Sequence, residues 1–197
     1  MKRWGMIGLA AAVAATAATA QIPSGKGGDP FLQALKEGKQ SEAVDQMRAT
    51  PSVVNYRGFD GDAALHIVTR QREGSWISYL ITNGADPNVG AKDGDTPLII
   101  AARLGYADGL TRLLSRKADV DKPNKRGETP LIVAVQQRRP GIVRDLLEAG
   151  ANPDKRDFVA GYSARDYAKR DSRMPELARL IETVKSKKAA AAGPTKP

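Results

Sequence analysis

Histidine, cysteine and closely paired carboxylates are the side chains with which a chain of this size could do chemistry, and here they are scarce. The 197 residues hold one histidine and no cysteine, which excludes disulfides, thiolate metal sites, a cysteine nucleophile and a lipid-modified cysteine. His66 stands in "AALHIV" with no second histidine, so a zinc site would need three carboxylates, a donor set that suits that metal poorly. A local hydrogen-bonding role is the expectation for it. "SGKGG" at 24–28 has the glycines of a phosphate loop but neither the rest of the motif, a preceding strand nor the Lys-Ser/Thr helix start, and reads as a linker. Asp60 and Asp62, like Asp93 and Asp95, are placed as turn and cap residues rather than as an acid–base pair. No catalytic, cofactor-binding or metal-ligating residue is predicted, no cofactor is expected, and the chain reads as non-enzymatic.

The elements that carry these residues repeat. Gly61, Gly94 and Gly127 fall 33 residues apart, and the pairs Leu80-Ile81, Leu113-Leu114 and Leu146-Leu147 keep the same step. So do Asn83–Asp86, Arg116–Asp119 and Ala149–Asn152. Three landmarks in phase over three periods identify a repeat. Thr96 and Thr129 are suited to cap a helix whose first position is Pro97 or Pro130. Leu98, Ile100 and Ala101 then form an apolar stripe, echoed by Leu131, Val133 and Ala134. A second helix carries Leu110, Leu113 and Leu114, or Val143, Leu146 and Leu147, at helical spacing. Gly84 or Gly150 ends it in a left-handed cap. Helices of about ten residues cannot bury a face alone, whereas stacked units cover one another. Apolar residues at 41% support such a core, and aromatics at 5% imply one built of Leu, Ile, Val and Ala.

"GDTPLIIAARLGY" followed by "LLSRKADVD" resembles the ankyrin repeat, a 33-residue unit that opens T-P-L-H-x-A and closes G-A-D-x-N. The resemblance covers roughly residues 29–184 and implies an all-α solenoid of stacked helix-turn-helix units joined by β-hairpin-like turns. Five units are expected: an N-terminal cap at 29–55, full repeats at 56–88, 89–121 and 122–154, and a C-terminal cap at 155–184. Ser163 is the expected N-cap of the last unit, with Ala168 at the position of Ala134. Gly161 follows Gly127 by 34, which places a one-residue insertion in the turn at 155–160. Several positions depart from the pattern. Ala63-Ala64 replaces Thr-Pro, leaving that helix uncapped unless Asp62 substitutes. Arg72 and Arg138 stand where Gly105 separates two helices. Gly109 falls where Ile142 packs one unit later, which predicts a packing deficit.

The first residues have the parts of a secretory signal: Lys2 and Arg3, an uncharged Trp4–Ala17, then Ala18-Thr19-Ala20. Cleavage is expected between Ala20 and Gln21, giving a periplasmic or secreted product of a Gram-negative bacterium with no transmembrane segment in the mature chain. Residues 21–28 are read as a flexible leader and 185–197 as a disordered basic tail. Removing Lys2 and Arg3 lowers the net charge of +9 by two. Four of the remaining positive charges are Lys185, Lys187, Lys188 and Lys196, beyond the last acid, Glu182.

A hairpin-and-helix stack presents a concave face, and the resemblance implies that partners dock there. The positions that change between units on that face are Phe59 and Asp60, Lys92 and Asp93, and Lys125 and Arg126 on the hairpin tips. On the first helices they are Arg70 and Gln71, Arg103 and Leu104, and Gln136 and Gln137. These are the expected protein-binding residues of a monomeric chain. The partner is expected to be another protein, not nucleic acid, because no aromatic-interleaved basic stripe marks the body. Alternatives are a stoichiometric helper or inhibitor of an envelope enzyme, or an envelope tether whose basic tail touches an anionic surface.

Overall fold

The computed structural model describes the backbone of residues 28–191 and the side chains as far as residue 184. The signal segment with its Ala20–Gln21 junction, and leader residues 21–27, lie outside the described residues. Five helix pairs follow one another: α1 (Asp29–Lys36) with α2 (Gln40–Ala49), α3 (Ala64–Arg70) with α4 (Gly74–Thr82), α5 (Pro97–Leu104) with α6 (Ala107–Ser115), α7 (Pro130–Gln136) with α8 (Pro140–Glu148), and α9 (Ala164–Arg170) with α10 (Pro175–Ala191). A short 3₁₀ turn, Pro51–Asn55, leads from α2 into the first hairpin. The odd-numbered helices pack in order as one layer, and α4, α6, α8 and α10 pack in order as the other. The core lies between the layers, so the architecture is an all-α solenoid.

Local chemistry sets the helix boundaries. Thr96 and Thr129 sit in extended backbone, and their hydroxyls accept from the amides of Ile99 at 3.2 Å and Ile132 at 3.3 Å. Each cap stabilises its helix by about 1 kcal/mol. Ser163 does the same for Asp166, and the Asp166 carboxylate returns the bond by accepting from the Ser163 amide at 3.0 Å. The uncapped α3 finds another solution. Its N-cap is Ala63, and the Ala63 amide donates to Nδ1 of His66 at 2.9 Å. Asp62 is no cap; its carboxylate faces Arg70.

His66 is fully buried. Because Nδ1 accepts, the ring proton belongs on Nε2, which lies 3.1 Å from the carbonyls of both Val89 and Asp95. The ring thus pins α3 to the base of the next hairpin. Burial holds its pKa below the ordinary imidazole value, and the nearby Arg70 cation lowers it further while the Asp62 carboxylate and the two carbonyls oppose the fall.

The turns between units are tied by a second periodic device. Side-chain oxygens of Asn55, Asn88 and Asp121 accept the amides of Asp86, Asp119 and Asn152 at 2.8, 2.7 and 2.9 Å. Each bond joins one unit to the next. Where the chain must turn left-handed between paired helices, Gly105 has φ +65°, but its counterparts Arg72 and Arg138 reach +61° and +51°. Lys117, one period from Gly84 and Gly150, sits at +64°.

Three expectations need correction. Gly109 leaves no deficit: a Cβ there would come within 2.3 Å of the Tyr106 ring, which folds down and fills the space. Gly28 is not leader, since it is buried beneath the ring of Tyr56 and its carbonyl accepts from Leu32 in α1. The backbone of α10 continues to Ala191, seven residues into the segment expected to be disordered. Alanine and lysine are strong helix formers, and composition alone conceals that.

Candidate protein-binding surface

A backbone bond closes each hairpin across its base. The amides of Gly58, Ala91 and Asn124 donate to the carbonyls of Asp62, Asp95 and Glu128 at 2.9, 2.9 and 3.1 Å. In the fourth hairpin Asp157 donates to Tyr162 at 3.0 Å, one residue further along, so the insertion lies after Phe158. Side-chain oxygens stiffen each turn from within: Asp60 accepts from the Asp62 amide, Asp93 from Asp95, and Asn124 from Arg126 and Glu128. Asp157 accepts from three successive amides, Val159, Ala160 and Gly161. Burial raises the pKa of Asp157, but the Tyr167 hydroxyl at 2.6 Å and those amides outweigh it, and the net shift is downward.

The tips form a row. Phe59, Lys92, Lys125 and Phe158 recur at one period, one per hairpin, and all are exposed. Phe59 is completely open to solvent and Phe158 is 75% exposed. Each tip rests on the glycine of the preceding hairpin: Cβ atoms on Gly61, Gly94 and Gly127 would lie 2.8, 2.7 and 2.7 Å from Lys92, Lys125 and Phe158. The Lys125 amide donates to the Asp93 carbonyl at 3.0 Å and that of Phe158 to Arg126 at 2.8 Å. Backbone bonds therefore hold the Lys125 and Phe158 tips in register with the hairpins before them. A groove of about 570 Å³ runs across the first three hairpins, and its lining carries Arg57, Phe59, Lys92, Lys122 and Lys125 together with Gly61, Gly90 and Gly94. Among the described residues that line it there is no carboxylate.

The first-helix positions behave differently. Arg70 makes a two-pronged pair with the carboxylate of Asp62, with the second contact at 3.1 Å. Arg103 reaches the buried Asp95 at 2.6 Å. Both partners lie eight residues upstream, across the end of the hairpin. Burial raises the Asp95 pKa, against the opposing pull of the Asn124 amide and the Arg103 guanidinium. The same step in unit four falls on Glu128 and Gln136, and there Arg126 approaches Glu128 at 3.4 Å instead. In the last unit Tyr162 takes the place of the acid, with Arg170 4.5 Å above its ring. Gln71 donates to the carbonyls of Leu35 and Lys36, both at 3.1 Å. Leu104 is half-buried against the core, and its carbonyl accepts from Arg72 at 2.8 Å. Asp60 pairs with Lys36 at 2.9 Å, a bond that holds its carboxyl below the usual range. Gln137 is exposed at the end of α7.

The predicted residues thus divide. Phe59, Lys92 and Lys125 come together on the tip row, whereas Arg70, Arg103, Asp60 and Gln71 hold neighbouring parts of the stack. Phe158, Val159, Arg57 and Lys122 belong to the same surface and were not anticipated. Phe158 was legible as Lys125 plus one period, but the 34-residue step to Gly161 hid it.

The family model for ankyrin repeats, in three copies, matches residues 31–124 and 65–157. The chain belongs to the ankyrin-repeat family. No curated protein matches the chain. Ankyrin repeats serve as protein–protein interaction scaffolds and are generally non-enzymatic. Among the described residues no group of three or more His, Asp or Glu is placed to hold a metal ion. No helix among them is long and apolar enough to cross a membrane. In this ankyrin stack, then, the Thr-Pro starts, the left-handed turns and His66 serve the frame, and the tips are the part that the frame does not use.

Proposed function

We propose that this ankyrin-repeat protein is exported, has no enzymatic activity of its own, and binds another protein through its concave hairpin and first-helix surface. The observation that carries the reading is the contrast between spent and unspent side chains. Arg70 and Arg103 are engaged by acids of their own units, while Phe59, Lys92, Lys125 and Phe158 stand exposed at the hairpin tips. An exposed aromatic beside cations on pre-ordered backbone has the composition of an interface centre and loses little entropy on docking. Stoichiometric masking of an envelope enzyme would use the same surface. The lysines beyond Glu182 support a tether as the second reading.

A photo-reactive residue placed at Phe59, Lys92 or Gln137 should crosslink to a partner in the cell envelope, while one at Arg144 on α8 should not. Equal labelling from both faces would sink the surface assignment. Intact mass of the exported chain tests the leader: loss of residues 1–20 is expected, and a product still beginning at Met1 would refute export by cleavage.

A further inference from the structure

The tip row is not evenly basic, and its order constrains what it can take. Along the stack it reads aromatic, lysine, lysine, aromatic: Phe59, Lys92, Lys125, Phe158. Stacked helices lie roughly 8–10 Å apart, so successive tips are separated by about that step. A polyproline II segment turns once every three residues and rises about 3.1 Å per residue, so every third side chain faces the same way about 9 Å on. The two periods agree. A β-strand would not match, because its residues three apart point to opposite faces.

Resting on the protein-binding reading, we infer that the tip row takes an extended, acidic peptide segment of its partner in polyproline II form, with carboxylates opposite Lys92 and Lys125 and apolar side chains against Phe59 and Phe158. Such a segment is ten residues from the first anchor to the last, with apolar residues at its first and tenth places and Asp or Glu at its fourth and seventh. Arg57 and Lys122 flank the groove and add positive potential. The acids nearest the tips are engaged within the stack: Asp60 is tied to Lys36 and the Asp62 amide, and the Asp93 oxygen accepts from the Asp95 amide. Charge and spacing together favour a peptide over a polyanion of uniform charge, which would leave both phenylalanines without partners.

The probe is a fluorescein-labelled decapeptide with Phe at places 1 and 10, Glu at 4 and 7, and Pro or Ser elsewhere, titrated against the full chain by anisotropy. A permuted peptide of the same composition, with the glutamates adjacent, is the control. The designed peptide should bind at least about fivefold more tightly than the permuted one. Lys92→Glu with Lys125→Glu should weaken it about tenfold, because two exposed pairs become repulsive. Phe59→Ala and Phe158→Ala should each weaken it several-fold with an unchanged melting curve. Lys92→Gln with Lys125→Gln, which adds no repulsion, should weaken it about threefold. Equal binding of the two peptides, or no loss in the lysine variants, would overturn the proposal. So would tighter binding to a single-stranded oligonucleotide or to phosphatidylglycerol vesicles, which would make the row a general polyanion site. Failure of the peptide with crosslinking from Phe59 and Lys92 retained would remove this ligand and leave the protein-binding reading standing; loss of both would remove both.

Discussion

Replacing Lys117 by glycine should stabilise the protein, and the same change at Arg138 should not. Three non-glycine residues, Arg72, Lys117 and Arg138, hold positive φ at 61°, 64° and 51°, at positions where sister units carry Gly105, Gly84 or Gly150. An L-residue in that region is disfavoured by about 1–2 kcal/mol. Glycine relieves this but loses about 0.4–1 kcal/mol through its freer unfolded chain. The net gain at a site with no compensating contact is about 0.5–1 kcal/mol. The Lys117 side chain is exposed, and glycine should deliver that gain. Arg138 instead forms a two-pronged pair with Asp171 of the next unit, at 2.6 and 3.3 Å. The guanidinium is 39% exposed and the carboxylate 18%, so solvent limits the pair to about 0.5–1 kcal/mol. Glycine there gains and loses equal amounts. Arg72 is similar, with a bond to the Leu104 carbonyl at 2.8 Å and a position 5.7 Å from the Tyr106 ring. Urea titration and thermal melting followed by circular dichroism would read the series. Lys117→Gly should raise Tm by about 1–4 °C for a domain of this size, and Arg72→Gly and Arg138→Gly should stay within about 1 °C of the parent. A lower Tm for Lys117→Gly, or an equal rise for Arg138→Gly, would refute the argument that inter-unit contacts offset the strain.

Gly109→Ile should lower Tm by several degrees, since the Cβ alone would enter the Tyr106 ring and overpacking costs about 1–3 kcal/mol; a rise in Tm would restore the packing-deficit idea. His66 has a folded pKa below its unfolded one, so the unfolded chain binds its proton first. Its contribution should be complete above about pH 6.5 and fall as pH drops through that value toward the folded pKa. Urea midpoints should therefore decline in that window, and His66→Gln should flatten the slope while lowering stability throughout. Arg103→Ala should cost about 1–2 kcal/mol by leaving the buried Asp95 with only the Asn124 amide, and should leave affinity for the tip-row peptide within about twofold of the parent; a tenfold loss would return Arg103 to the binding surface.

The period carried most of the fold. Thr96, Thr129 and Ser163 cap helices where their spacing places them, because a cap is a local bargain between one side chain and an amide three residues on. Gly109 misled for the opposite reason. The ring that fills its space belongs to Tyr106, a residue whose counterparts are Glu73 and Arg139, so comparing units could not reveal it. Arg70 and Arg103 were legible as surface residues but not as engaged ones. Familiar side-chain pairs lie three or four apart on one helix, and these span eight residues across a hairpin end.

That eight-residue link bears on how charge is to be read in a repeat protein. Asp62 with Arg70, Asp95 with Arg103, and Tyr162 with Arg170 are three versions of one contact between a hairpin and the helix it feeds. The last replaces an ion pair by a cation over a ring, keeping the arginine while changing its partner. Such a substitution is what a structural contact tolerates, because either partner can hold the guanidinium at the hairpin end. Charge reversal at Arg70 or Arg103 would set a carboxylate against Asp62 or Asp95 and disturb the stack, so lost binding in such a variant could not be credited to the interface. Lys92 and Lys125 rest on glycine through backbone and stem atoms and are exposed, and there a change of sign reports on the partner alone.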